Sequence, residues 1–137
     1  MIWALEIEST IYTIIKTKAR ARLVEEYPTI NFTNDNVVND TAVFPTVYIH
    51  FLPSMEIGQD IDNVDVNAIR ATAQIEITVG NAQNSLTDAR KVVSVVLEEF
   101  KALRFNITAM PEFNGNTSDT KRMIFRASRV IGSQDTF

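Results

Sequence analysis

Phe44-Pro45-Thr46-Val47-Tyr48-Ile49-His50-Phe51-Leu52 and Ala71-Thr72-Ala73-Gln74-Ile75-Glu76-Ile77-Thr78-Val79 are the two stretches whose reading decides the fold. Both alternate with the period of two that a half-buried strand requires. In the first arm Val47, Ile49 and Phe51 share one face, against Tyr48, His50 and Leu52. In the second, Ala71, Ala73, Ile75, Ile77 and Val79 share one face, against Thr72, Gln74, Glu76 and Thr78. The pair reads as two arms of one long hairpin with one face in the core. The other face is polar on the second arm but partly aromatic and apolar on the first, more than contact with water alone favours.

The segments on either side read as covering for this hairpin. Upstream, Ile7, Ile11, Ile15, Ala19 and Leu23 recur at every fourth position between Leu5 and Tyr27, which predicts an amphipathic helix halted by Pro28. Four bases on it, Lys16, Lys18, Arg20 and Arg22, alternate with other residues. At about 100° per residue they divide between the two flanks of the apolar stripe, as solvated stems do. Thr29 to Thr33 predicts a short strand, and Asn34 to Asp40, rich in Asn and Asp, a turn or loop.

Downstream, Ser85-Leu86-Thr87-Asp88 resembles a capping box opening a second helix that runs to about Arg104. Leu86, Ala89, Val93, Val96, Phe100 and Leu103 form its apolar face, with Val92 and Leu97 at the margins and Val95 among the solvent-side residues. Phe105 to Met110 predicts a strand ended by Pro111. Glu112 to Asp119 predicts a turn around Gly115, and Arg122 to Ile131 a last strand. Met123, Phe125 and Ala127 lie on one side of it, with Arg122, Arg126 and Ser128 on the other. The tail from Gly132 to Phe137 has little to hold it. The fold class expected is therefore α+β, in the order α-β-β-β-α-β-β. It has two layers, a mostly antiparallel sheet of four to five strands with two helices on one face, in a single domain spanning 1–137.

The bulk numbers agree with one ordinary globular domain: 137 residues, 45% hydrophobic and 22% charged. The apolar runs are too short to cross a bilayer, and the start lacks the basic region of a secretory signal. There is no cysteine, hence no disulfide framework or thiolate chemistry. Seventeen acids against 13 Lys plus Arg give a net charge of −4, which argues against a broad nucleic-acid binder.

Chemistry-bearing motifs are sparse. The single histidine, His50, has no cysteine to activate and no second imidazole with which to share a metal. No serine sits in a nucleophile elbow, and the four glycines assemble no phosphate loop. The strongest metal-like stretch is the loop Ser54 to Asp65, which carries Glu56, Asp60, Asp62 and Asp65. Counted from Asp60, it places Asp65 where a calcium loop needs glycine and Ala71 where it needs glutamate. A solvated or interface loop is the better reading, and its length is still unusual for a hairpin connection. No catalytic residue, metal or cofactor is expected.

Several local strings resemble one known family. They are the first helix, Tyr27-Pro28 with Ile30-Asn31-Phe32, Phe44-Pro45-Thr46-Val47-Tyr48-Ile49, Gly58-Gln59-Asp60, Ala73-Gln74-Ile75-Glu76-Ile77, Met110-Pro111, and Arg126-Ala127-Ser128-Arg129-Val130-Ile131-Gly132. Together they are similar to the tail terminator or tail completion (head–tail joining) proteins of long-tailed, non-contractile bacteriophages and prophages. The resemblance implies a non-enzymatic subunit that assembles with itself into a ring, usually hexameric, at the head-proximal end of the tail tube. Its partners would be the tail tube protein and the head connector, with DNA passing through the channel unread. Its place would be the virion, after assembly in the host cytoplasm, with no membrane involved.

On that reading Arg122 and Arg126 are expected to meet carboxylates of the same sheet or of a neighbouring copy. Tyr48 and His50 would lie on a partner-facing surface, and Glu56, Asp60, Asp62 and Asp65 would project toward the channel or the adjoining ring, repelling the DNA backbone. Two rival readings stand beside it: an adaptor or nucleic-acid-binding α+β domain reading single strands through Tyr48, and a metal-dependent hydrolase using the acidic loop.

Overall fold

The computed structural model describes residues 2–34, 45–53, 55–59, 66–80, 85–132, 135 and 137. The elements are α1 (Ile2–Leu23), β1 (Asn31–Thr33), β2 (Thr46–Phe51), β3 (Met55–Gln59), β4 (Val66–Gly80), α2 (Ser85–Ala102), β5 (Asn106–Phe113) and β6 (Thr120–Gly132). Strands β1-β2-β4-β6-β5 form one sheet in that order, with β3 also on β4. The fold is α+β, as the periodicities predict.

The two arms do pair antiparallel, with Val47 opposite Ile77, Ile49 opposite Ile75 and Phe51 opposite Ala73. On the far side β6 runs antiparallel along β4 from Ala68–Gly132 to Gly80–Thr120, setting Phe125 beside Ile75 and Ala127 beside Ala73. Val47, Ile49, Ala73, Ile75, Ile77, Phe125 and Ala127 are buried, and Phe51 is partly buried. They join one core with Ile11, Ile15, Ala19 and Leu23 of α1 and Ala89, Val92, Val93, Val96 and Phe100 of α2. Both helices therefore seal the same face of the sheet.

Two expectations about the sheet need correction, and another is sharpened. First, the segment read as a wide loop contains a strand: β3 pairs antiparallel with Val66 to Arg70 of β4. The reason is hydrogen-bond accounting. β4 is long, β2 covers only Thr78 back to Ala73, and the remaining amides and carbonyls on that edge need partners, which β3 supplies. Second, the sheet is mostly antiparallel as expected, and the parallel member among the described strands is β1, which runs along β2 with Phe32 beside Val47. The long connection between them, residues 34–45, permits a parallel return. Third, Pro111 does not end β5. That strand is the sheet's edge, and its register slips between Ala109 and Glu112, where a residue without an N–H is tolerated.

On α2, Val95 packs partly against the core instead of facing solvent, whereas Leu86, in the first turn, is exposed. Nor is Arg22 merely a solvated flank of α1. It donates to Glu98 at 2.6 Å and to Glu99 at 3.0 Å, both on α2. Just beyond α1, Lys91 donates to Glu26, and the Tyr27 hydroxyl donates to Asp88 at 2.9 Å. Burial, then that bond, raise the Tyr27 hydroxyl's pKa well above its ordinary value.

The end of α2 is a Schellman turn. Phe105 N–H bonds Phe100 C=O at 3.1 Å and Arg104 N–H bonds Lys101 C=O at 2.9 Å, while the Phe100 and Phe105 rings meet edge-on at 5.3 Å. Arg104 fills the left-handed position with φ 67°, where glycine is the usual occupant. The C-terminal residues are better tied than expected. Asp135 accepts from Gly132 N–H at 2.9 Å, its own N–H bonds Gly132 C=O at 3.1 Å, and Phe137 lies against Arg129.

Candidate interaction surface

The register that buries Val47, Ile75 and Phe125 also fixes what stands on the opposite face. Tyr48 pairs with Glu76, which pairs with Ile124; His50 pairs with Gln74, which pairs with Arg126; Thr46 pairs with Thr78, which pairs with Arg122. Three rows across three strands bring Tyr48, His50, Arg122 and Arg126, four of the expected site residues, onto one surface. Sequence reading missed the two groups at its centre, Gln74 and Glu76.

Glu76 is the hub. Arg122 forms an ion pair with one of its carboxylate oxygens, and His50 Nε2 lies 3.6 Å from the other. Arg126 Nε donates to Gln74 Oε1 at 2.9 Å, so this arginine meets an amide rather than the carboxylate expected of it. The Tyr48 and His50 rings stack with centroids 4.6 Å apart. His50 Nε2 is shielded from solvent and has no hydrogen-bond partner. Burial, and then the positive charge of Arg126, push the imidazole's pKa below its ordinary value. It is therefore neutral at pH 7, and its approach to Glu76 is a contact between a neutral ring and a carboxylate, not an ion pair.

The surface is thus a fixed polar and aromatic array. Its charged groups are mostly spoken for within the sheet, and its rings lie against each other. Such an array suits flat contact with another protein surface, where ordered side chains lose little freedom on docking. No group of three or more potential metal ligands comes together among the described residues. Of the acidic stretch, Glu56 is placed on β3, opposite Ile69 in the register, rather than in an open loop. Asp60, Asp62 and Asp65 lie outside the described residues. No helix among the described residues is long and apolar enough to cross a membrane.

No protein-family model and no curated protein matches the chain. Several solved structures match, and one of them superposes with a TM-score of 0.48 at 15% sequence identity, over 88% of this chain and 94% of its own length.

Proposed function

We propose that the chain is a structural subunit of a virion assembly, a tail-terminator or tail-completion protein that forms a ring joining the phage tail tube to the head connector. The observation that carries this reading is the contrast between the two faces of the sheet. One is sealed by α1 and α2. The other presents the ordered row Tyr48, Glu76, His50, Gln74, Arg126 and Arg122, which no helix or strand covers among the described residues. A ring needs a head-to-tail contact between two different patches, and fixed charges set its register better than mobile ones. The resemblance in the sequence supplies the specific assembly and its partners.

Light scattering and negative-stain imaging of the purified chain, alone and mixed with tail tubes, test the proposal. Closed rings, or caps seated on tube ends, are expected, together with no salt-sensitive retention of single-stranded DNA. A monomer under both conditions, or a monomer that binds single-stranded DNA through Tyr48, overturns it and favours the nucleic-acid-binding reading.

A further inference from the structure

α1, the turn after α2, β6 and the residues Asp135 and Phe137 line an open cavity of about 430 Å³. Three of its lining residues are cations: Lys18, Arg104 and Arg129. One carboxylate, Asp135, also lines it, so the lining carries a net charge of +2, counted as three bases less one acid, in a chain of net charge −4.

Arg129 is the informative member. It follows Phe125 and Ala127 in the inward-facing alternation of β6, and its side chain is only 11% exposed. A guanidinium offers five N–H donors. This one makes a sound bond to Leu103 C=O at 2.9 Å, and only a long contact of 3.5 Å to Asp135. The same Asp135 oxygen also accepts from Gly132 N–H at 2.9 Å, so the ion pair that Arg129 has among the described residues is a long and shared one. The Phe137 ring covers Arg129 at 4.7 Å. A cation this far out of water is disfavoured unless anionic partners complete its shell.

Arg104 supplies the independent sign. It occupies a left-handed position that glycine fills at no steric cost, and it lines the same cavity. Backbone strain of this kind persists at sites where a side chain is needed in one place. Capping the last carbonyls of α2 does not account for the group. Arg129 already serves Leu103, and Arg104 reaches Lys101 C=O through its backbone N–H, not its side chain.

We infer that this cavity is a binding site for a phosphate-class oxyanion, held by Arg129, Arg104 and Lys18. The planar fork of Arg129 takes two of the anion's oxygens, and the other two cations balance its remaining charge. Asp135 works against the ligand, as an internal carboxylate at the rim. The anion has two possible sources, a free phosphate compound or the backbone of a nucleic acid.

Calorimetric titration of the full chain at low salt, with inorganic pyrophosphate and separately with a short DNA duplex, tests the site. Saturable pyrophosphate binding that weakens as salt is raised is expected. Arg104→Gly should weaken it about tenfold, the effect of one lost charge-assisted contact, while raising Tm by relieving the left-handed strain. Asp135→Asn should tighten it several-fold. A duplex that binds, competes with pyrophosphate and is weakened in the same variant identifies a nucleic-acid phosphate, whereas pyrophosphate binding alone identifies a free anion. No saturable heat with either probe, or equal affinity in native, Arg104→Gly and Asp135→Asn proteins, overturns the inference.

Discussion

The two faces of the sheet are built from the same strands and obey opposite rules. On the helix-covered side, stability comes from removing hydrocarbon from water and from close packing, and every position is apolar where the strands cross the middle. On the other side the same strands carry Arg122, Glu76, Gln74, His50 and Tyr48, half-buried by one another rather than by an overlying element, and the exposed Arg126. The first face is worth much in folding energy and offers nothing to a partner. The second contributes little to folding.

The contrast is broken most sharply by cutting the core. Phe125 is fully buried and meets Phe100 edge-on at 6.1 Å. Phe125→Ala should cost about 3–5 kcal/mol, the combined loss of burial and opening of a cavity. Its neighbour on the outward face, Ile124, is only half-buried. Ile124→Ala should cost about 1 kcal/mol, within the range of ordinary single substitutions. Urea unfolding of both variants measures the ratio, and equal losses would mean that the outer face is a second core.

The inward face was readable because alternation needs no partner: Val47, Ile49, Ala73, Ile75 and Ile77 declare one side whichever strand lies next to them. What depended on pairing was not readable. That Glu76 would stand between Arg122 and His50 follows from the register of three strands, and one strand's pattern does not fix how it slides against another. β3 was hidden by composition, since its Glu, Gly and Gln and the Asn and Asp that follow it are poor strand formers. Its cause was the unpaired edge of β4, visible only once the end of β2 is known. The parallel return of β1 depends on the route of a connection, not on the residues of the strand. Arg104 was invisible for a different reason, because a helix ending without glycine gives no signal that its last turn is left-handed.

A smaller effect tests how far the outer face holds itself together. Glu76 is the hub, but the Arg122 side chain is 37% exposed, so water screens the pair. Glu76→Gln should therefore cost about 1 kcal/mol or less in unfolding experiments. A loss comparable to that of Phe125→Ala would mean that the charges, and not the packing, hold β2, β4 and β6 in register.

The smallest effect is also the most specific, because only the outer face should respond to mild acid. The pKa of His50 lies below its ordinary value of 6.5 in the folded chain and returns to it on unfolding. Between those two values the unfolded state binds more protons than the folded one, so stability rises with pH across that window. The contribution is fully present above the unfolded pKa and is lost as pH falls toward the folded pKa. Below the folded value nothing further changes.

Burial is the main cause and Arg126 the second, so Arg126→Gln should shrink the window by letting the imidazole keep its proton more easily. Glu76→Gln should act in the opposite direction, since the carboxylate 3.6 Å from Nε2 favours the charged ring. His50→Gln should abolish this part of the slope altogether, while Phe125→Ala lowers stability at every pH and leaves the slope in place. Urea midpoints measured between about pH 5 and 7.5 separate these cases. Identical slopes in the native and His50→Gln proteins would show that the imidazole is as free to take a proton in the folded sheet as in the unfolded chain, and that the outer face is not the fixed array the geometry describes.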